Sequence, residues 1–151
     1  ALCSCGRRGC VEAYAGRRSM ASIASAMVDA GRETVLFSIR DEAGKQKLTS
    51  KVWARALKES DELAEQLFDM AIETLGIGVA SVVNIVDVEL IVVGGGLAEK
   101  LGQDLADRLE AAAAPWMLRP NPGLAWVPAA LGDDSGVVGA AALARAAVIS
   151  P

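Results

Sequence analysis

Leu90-Ile91-Val92-Val93-Gly94-Gly95-Gly96-Leu97 is the stretch on which the fold turns. Four apolar, mostly β-branched residues read as a strand, begun at Asp87 and stopped by three glycines. Helical spacing resumes from Leu97 to about Ala114, where Pro115 ends it. The order then repeats. Pro120-Asn121-Pro122-Gly123 reads as a turn and Ala125 to Leu131 as a second strand, with Pro128 marking an edge or a bulge. Gly132-Asp133-Asp134-Ser135-Gly136 leads into a last helix from Val137 to about Ile149. Upstream, Ser60-Asp61 opens a helix of roughly 25 residues with Leu63, Leu67, Met70 and Leu75 as its apolar stripe. Its second half, Gly76-Ile77-Gly78-Val79-Ala80-Ser81, is small enough for close packing against a neighbour. Thr49 or Ser50 caps a shorter helix through Val52, Trp53, Ala56 and Leu57. A mixed, charged connection covers residues 32 to 48, with a short helix around Val35 to Ile39. Val11 to Ala30 reads as one helix carrying Ile23, Met27 and Val28, with Gly31 as its stop. Helices alternating with apolar strands predict an α/β domain with a largely parallel sheet and flanking helices.

Composition narrows the chemistry. The chain has 151 residues, 15 Lys plus Arg, 19 Asp plus Glu and no histidine, for a formal charge of -4. That length supports one core, and an aromatic content of only 4% implies tightly apposed small side chains. Without histidine there is no Ser-His-Asp or Cys-His pair and no HExxH zinc site. The acidic balance lacks the basic face that sequence-independent nucleic-acid binding requires. No membrane partner is expected, since the longest apolar run, Thr74 to Val86, falls short of the ~18 residues of a span. The first residues show no basic segment followed by an apolar one, so no signal peptide is read there.

Two features carry possible chemistry. At Gly94, Gly95 and Gly96, backbone NH groups at a helix start can receive phosphate oxygens, and missing Cβ atoms let a nucleotide approach. The sequence is neither GxGxxG with a ribose-binding acid nor a loop ending in GK[ST], and a ligand-free tight turn fits the same residues. The second feature is Cys3-Ser4-Cys5-Gly6-Arg7-Arg8-Gly9-Cys10. Three crowded cysteines make a poor disulfide framework, whereas three thiolates around a glycine-bearing turn can converge on one metal ion. Arg7 and Arg8 favour thiolate over thiol. Three reduced thiols in a loop fit the same spacing.

Cys3-Ser4-Cys5-Gly6-Arg7-Arg8-Gly9-Cys10-Val11-Glu12 also resembles the CxCGxxGCxE signature of the ROK family of sugar kinases and sugar-responsive repressors. Leu90 to Gly96 and Leu131 to Ala141 resemble that family's two C-terminal motifs, in the same order. The resemblance implies an actin-like (ribonuclease H-like) domain, specifically the C-terminal lobe over residues 1-151, with the N-terminal lobe absent. It implies structural zinc on Cys3, Cys5 and Cys10, completed by a histidine upstream of Ala1. It also implies sugar contact by Glu12 and a nucleotide side at Gly94, Gly95 and Gly96. ATP with Mg²⁺ and a hexose are the implied co-substrates of the intact protein, glucokinase-like in the first alternative, in a homo-oligomer of the cytoplasm. The alternatives are the sugar-sensing domain of a repressor, with DNA bound only through an upstream winged helix, and a zinc-stabilised dimerisation domain. No catalytic base is assigned, because the general-base Asp is implied for the other half, and the segment alone is expected to be inactive as a kinase.

Overall fold

A computed structural model describes residues 1–119 and 123–149. The chain opens with a loop and two short helices, α1 (Glu12–Ala15) and α2 (Arg17–Asp29). The single helix expected over this region is broken at Gly16, whose backbone is extended at φ -69°, ψ 133°. The Glu12 carboxylate lies where a Gly16 Cβ would sit, so the break and the acid occupy one another's space. Helices α3 (Leu36–Glu42) and α4 (Ser50–Lys58) follow. Thr49 caps α4 by accepting from Val52 N.

The long helix α5 (Glu62–Val86) begins where the sequence places it. Asp61 Oδ1 accepts from Ala64 N at 2.7 Å and from Thr34 Oγ1 at 2.9 Å, while Oδ2 accepts from Val35 N at 2.8 Å. One carboxylate therefore caps α5 and ties down the start of α3. By length and composition α5 could cross a membrane, contrary to the reading from runs of apolar residues. Here it is the central core helix, packed against α1, α2 and α4.

Strand β1 (Leu90–Val93) leads through α6 (Gly96–Leu101) and α7 (Gln103–Ala113) to β2 (Ala125–Pro128). The helix expected from Leu97 to Ala114 is two helices, because Gly102 turns the chain at φ 59°. The strands pair in parallel, Leu90 with Ala125 and Val93 with Pro128, forming a two-stranded sheet. The parallel pairing is as expected, while the sheet is smaller and β2 ends at Pro128; Ala125 N and Ala129 N donate to Glu89 O and Val93 O, so the proline sits at a position that owes β1 no NH. The expected turn at Pro120-Asn121-Pro122 lies outside the described residues.

Packing explains the small residues of α5. A Cβ on Gly76 would lie 2.7 Å from the Ala112 carbonyl carbon, so α5 and α7 meet backbone to backbone. Trp53, Leu63, Leu67 and Leu36 are the largest side chains fully enclosed in this core. The last helix, α8 (Ser135–Ile149), differs: its described side chains are exposed. A Cβ on Gly136 or Gly139 would meet nothing within 4 Å among the described residues.

Candidate functional site

The N-terminal loop is folded by its own backbone. Cys3 N donates to Arg7 O at 2.8 Å, Gly6 N to Cys3 O at 2.9 Å, and Leu2 bridges Arg8 in antiparallel fashion. Gly6 and Gly9 take φ values of 84° and 79°, a region that side chains strongly disfavour. The result gathers Cys3, Cys5 and Cys10 so that their sulfurs lie within 4.8 Å of one another, with Cys5 Sγ and Cys10 Sγ at 3.7 Å. Tetrahedral zinc with Zn–S bonds of about 2.3 Å separates its sulfurs by about 3.8 Å. The donor set and its spacing therefore fit a thiophilic ion. Three ligands come from the described residues, and no carboxylate joins the cluster among them.

The thiols are unequal. Hydrogen bonds from the Arg7 backbone, then the Arg7 side chain and the other two thiols, lower Cys5 to about 7. Cys10 is raised to about 11, first by its hydrogen bond to Cys5 and then by desolvation. Either sulfur can donate across the 3.7 Å contact, and the opposite directions favour the proton on Cys10 in the metal-free cluster. Arg7 does what the sequence suggested for the two arginines.

Two residues beyond Cys10, Glu12 begins α1, with its side chain exposed. At four residues, α1 is one turn, so helix-dipole support for this carboxylate is small. On its C-terminal side the Glu12 backbone is held by Ser19 Oγ, which donates to Glu12 O at 2.8 Å, and the side chain fills the space left by Gly16. The helix pair α1–α2 and the glycine loop approach one cavity of about 260 Å³, with Ala15 and Arg17 on one side and Gly94, Gly95 and Gly96 on another. Glu12 is not among the residues lining it.

The three glycines have separate causes. Gly95 takes φ 109°, and a Cβ on Gly96 would meet Ser50 Oγ at 2.5 Å, so both are required by the backbone alone. α6 has only six residues, which weakens the expected dipole contribution at its start. A second cleft of about 220 Å³ adds what the sequence does not show. Gly94 and Gly95 line it together with Gly132 and Ser135, so both strand–glycine–helix junctions open on one space. Parallel pairing of β1 with β2 is the cause, since it places both strand ends side by side.

A parallel sheet with its glycine junctions at one end and flanking helices is an α/β arrangement, and superposition on solved sugar kinases makes it the actin-like ATPase class of fold. The chain superposes on a ROK glucokinase from Streptomyces griseus, solved with glucose and AMPPNP, at a TM-score of 0.75 and 28% identity, over 95% of this chain and 47% of that one. Residues 1–147 match the ROK family, and the chain belongs to it. A glucokinase of Halalkalibacterium halodurans is 34% identical over 92% of this chain and 42% of its own length. A xylose repressor of Caldicellulosiruptor bescii is 31% identical over 62% of this chain and 23% of the repressor. The chain thus spans less than half the length of these relatives.

Proposed function

We propose that this chain is the C-terminal lobe of a ROK sugar kinase of glucokinase type, which in the intact protein transfers phosphate from ATP to a hexose. One observation carries the choice of kinase over repressor. The glucokinase match extends over 92% of the chain, whereas the repressor match extends over 62%. A repressor's sugar-sensing domain is the second reading, and it would retain sugar binding without transfer.

In this reading Cys3, Cys5 and Cys10 hold a structural zinc, which supplies rigidity and no step of the reaction. The loop it fixes sets the start of α1 and so the position of Glu12, which accepts hydrogen bonds from sugar hydroxyls. Gly94 and Gly95, with Gly132 opposite, leave room for the nucleotide, whose phosphates bring Mg²⁺. No residue here is assigned as the base that takes the proton of the attacking hydroxyl. The cysteines, held reduced on a metal, suit the cytoplasm.

Calorimetric titration of the zinc-loaded chain with glucose tests the sugar role. Replacing Glu12→Gln keeps the shape and removes the charge, so a charge-assisted bond falls to a neutral one, costing about 1–2 kcal/mol, or roughly tenfold in Kd. Equal glucose affinity for both proteins would remove Glu12 from the site.

A further inference from the structure

We infer that Cys5 and Cys10 form a reversible disulfide under peroxide, releasing the metal and making the loop that carries Glu12 redox-sensitive. The inference rests on the metal reading above for its consequence, but the bridge itself follows from geometry. Cys5 Sγ and Cys10 Sγ lie 3.7 Å apart and already touch. A disulfide requires about 2.05 Å, so the sulfurs must close by roughly 1.6 Å. The intervening Gly6-Arg7-Arg8-Gly9 can absorb that movement: both glycines sit in open space, where even an added Cβ would meet nothing within 4 Å.

Exposure selects the pair. Cys5 is exposed and Cys10 partly so, while Cys3 is buried at 7% exposure and its NH is bonded to Arg7 O. Cys3 and Cys5 are also separated by one residue, too short a loop for a bridge without strain. An oxidant from solvent therefore meets Cys5 first and Cys10 is the sulfur placed to resolve it.

The step balances with hydrogen peroxide as the oxidant. The Cys5 thiolate attacks one peroxide oxygen, the O–O bond breaks, and hydroxide leaves a sulfenic acid on Cys5. The Cys10 sulfur then attacks that sulfur, giving up its bond to the metal or, in the metal-free chain, its proton to water, while the S–O bond breaks and a second hydroxide leaves. Both hydroxides take up protons to become water. Two thiols have lost two electrons and peroxide has gained them. A bound ion loses two of its three thiolate ligands from this chain and departs as the hydrated cation. Glu12, two residues past Cys10, then loses the anchor on its N-terminal side.

The test treats the zinc-loaded 151-residue chain with one equivalent of hydrogen peroxide. Zinc release is followed with a chromogenic chelator, and thiol states are mapped by peptide mass spectrometry under non-reducing conditions. The expected result is a Cys5–Cys10 bridge, Cys3 free, one zinc released per chain, and reversal of all three by dithiothreitol plus zinc. Cys3→Ser is expected to keep the bridge and Cys10→Ser to lose it, leaving Cys5 to oxidise beyond reversal. A bridge to Cys3, a bridge between two chains, or sulfinic acid on Cys5 with Cys10 still reduced would overturn the proposal. Protein that purifies without zinc would sink the metal reading alone, since the bridge is mapped equally well in the metal-free chain.

Discussion

Cys5 shows how one backbone turn creates a reactive atom. Hydrogen bonding from the Arg7 backbone and side chain, with the neighbouring thiols, lowers Cys5 to about 7, while the contact with Cys5 and desolvation raise Cys10 to about 11. A lowered thiol is thiolate above its pKa, and thiolate is the nucleophile. In metal-free protein, iodoacetamide labelling of Cys5 is therefore expected to rise to half its maximum near pH 7. Cys10 is expected to stay unlabelled until well above pH 9. Mass-spectrometric labelling rates against pH read both residues in one sample, and equal rates at pH 7.5 would contradict the assignment. The cysteine types and spacing announced this cluster in the sequence, as did the glycines that let it turn. The inequality of the thiols was not legible, because it depends on which sulfur the Arg7 NH faces. Glu12 likewise could be named from its motif, but the Gly16 break that seats it beside the loop could not.

At the scale of elements, local signals were read where they were local. Asp61 as the start of α5, Pro115 as a stop and the strand's end at Gly94 all act through their immediate neighbours and stand where expected, whereas the strand begins at Leu90 and not at Asp87, which closes α5 at φ 53°. The breaks at Gly16 and Gly102 were missed because a glycine inside a helical pattern is tolerated or not according to what lies beside it in space. Gly76 is the reverse case, a glycine kept inside a helix by a partner. With the Ala112 carbonyl carbon 2.7 Å from where its Cβ would lie, Gly76→Val must push α7 away from α5. Overpacking of this kind costs about 1–3 kcal/mol. Gly78→Val, whose Cβ would meet only Val11 Cγ2 at 3.9 Å, serves as the control with the same change in helix propensity. Urea denaturation is expected to show a lower midpoint for the Gly76 variant and a midpoint near that of the parent for the Gly78 variant. Equal midpoints for the two variants would mean that α5 and α7 do not meet so closely.

The whole molecule is the scale at which sequence patterns were least informative, because sheet size and cleft formation depend on how distant segments pair. The order of elements predicted a parallel sheet and the pairing of β1 with β2 supplies one, yet nothing in either strand alone states that Gly94 and Gly132 will share a cleft. That cleft and the cavity beside Arg17 share Gly94 and Gly95 as lining, and the proposed reading has this loop hold a nucleotide. Holding is not transferring. Phosphoryl transfer depends on the donor phosphate, Mg²⁺, acceptor hydroxyl and a base being set in line, and such positioning is worth factors of about 10⁵ or more. This chain spans 42% of a glucokinase relative, and the carboxylate proposed to touch sugar, Glu12, does not line the cavity that the glycines border. The 151-residue chain is therefore expected to show no ATP-dependent glucose phosphorylation above the buffer blank in a coupled assay, even where titration shows glucose binding. Turnover that co-purifies with the chain and disappears in Glu12→Gln would prove the reverse, that one lobe assembles the whole reaction centre. Turnover unchanged by that substitution would trace to a contaminating kinase, and leave the expectation standing.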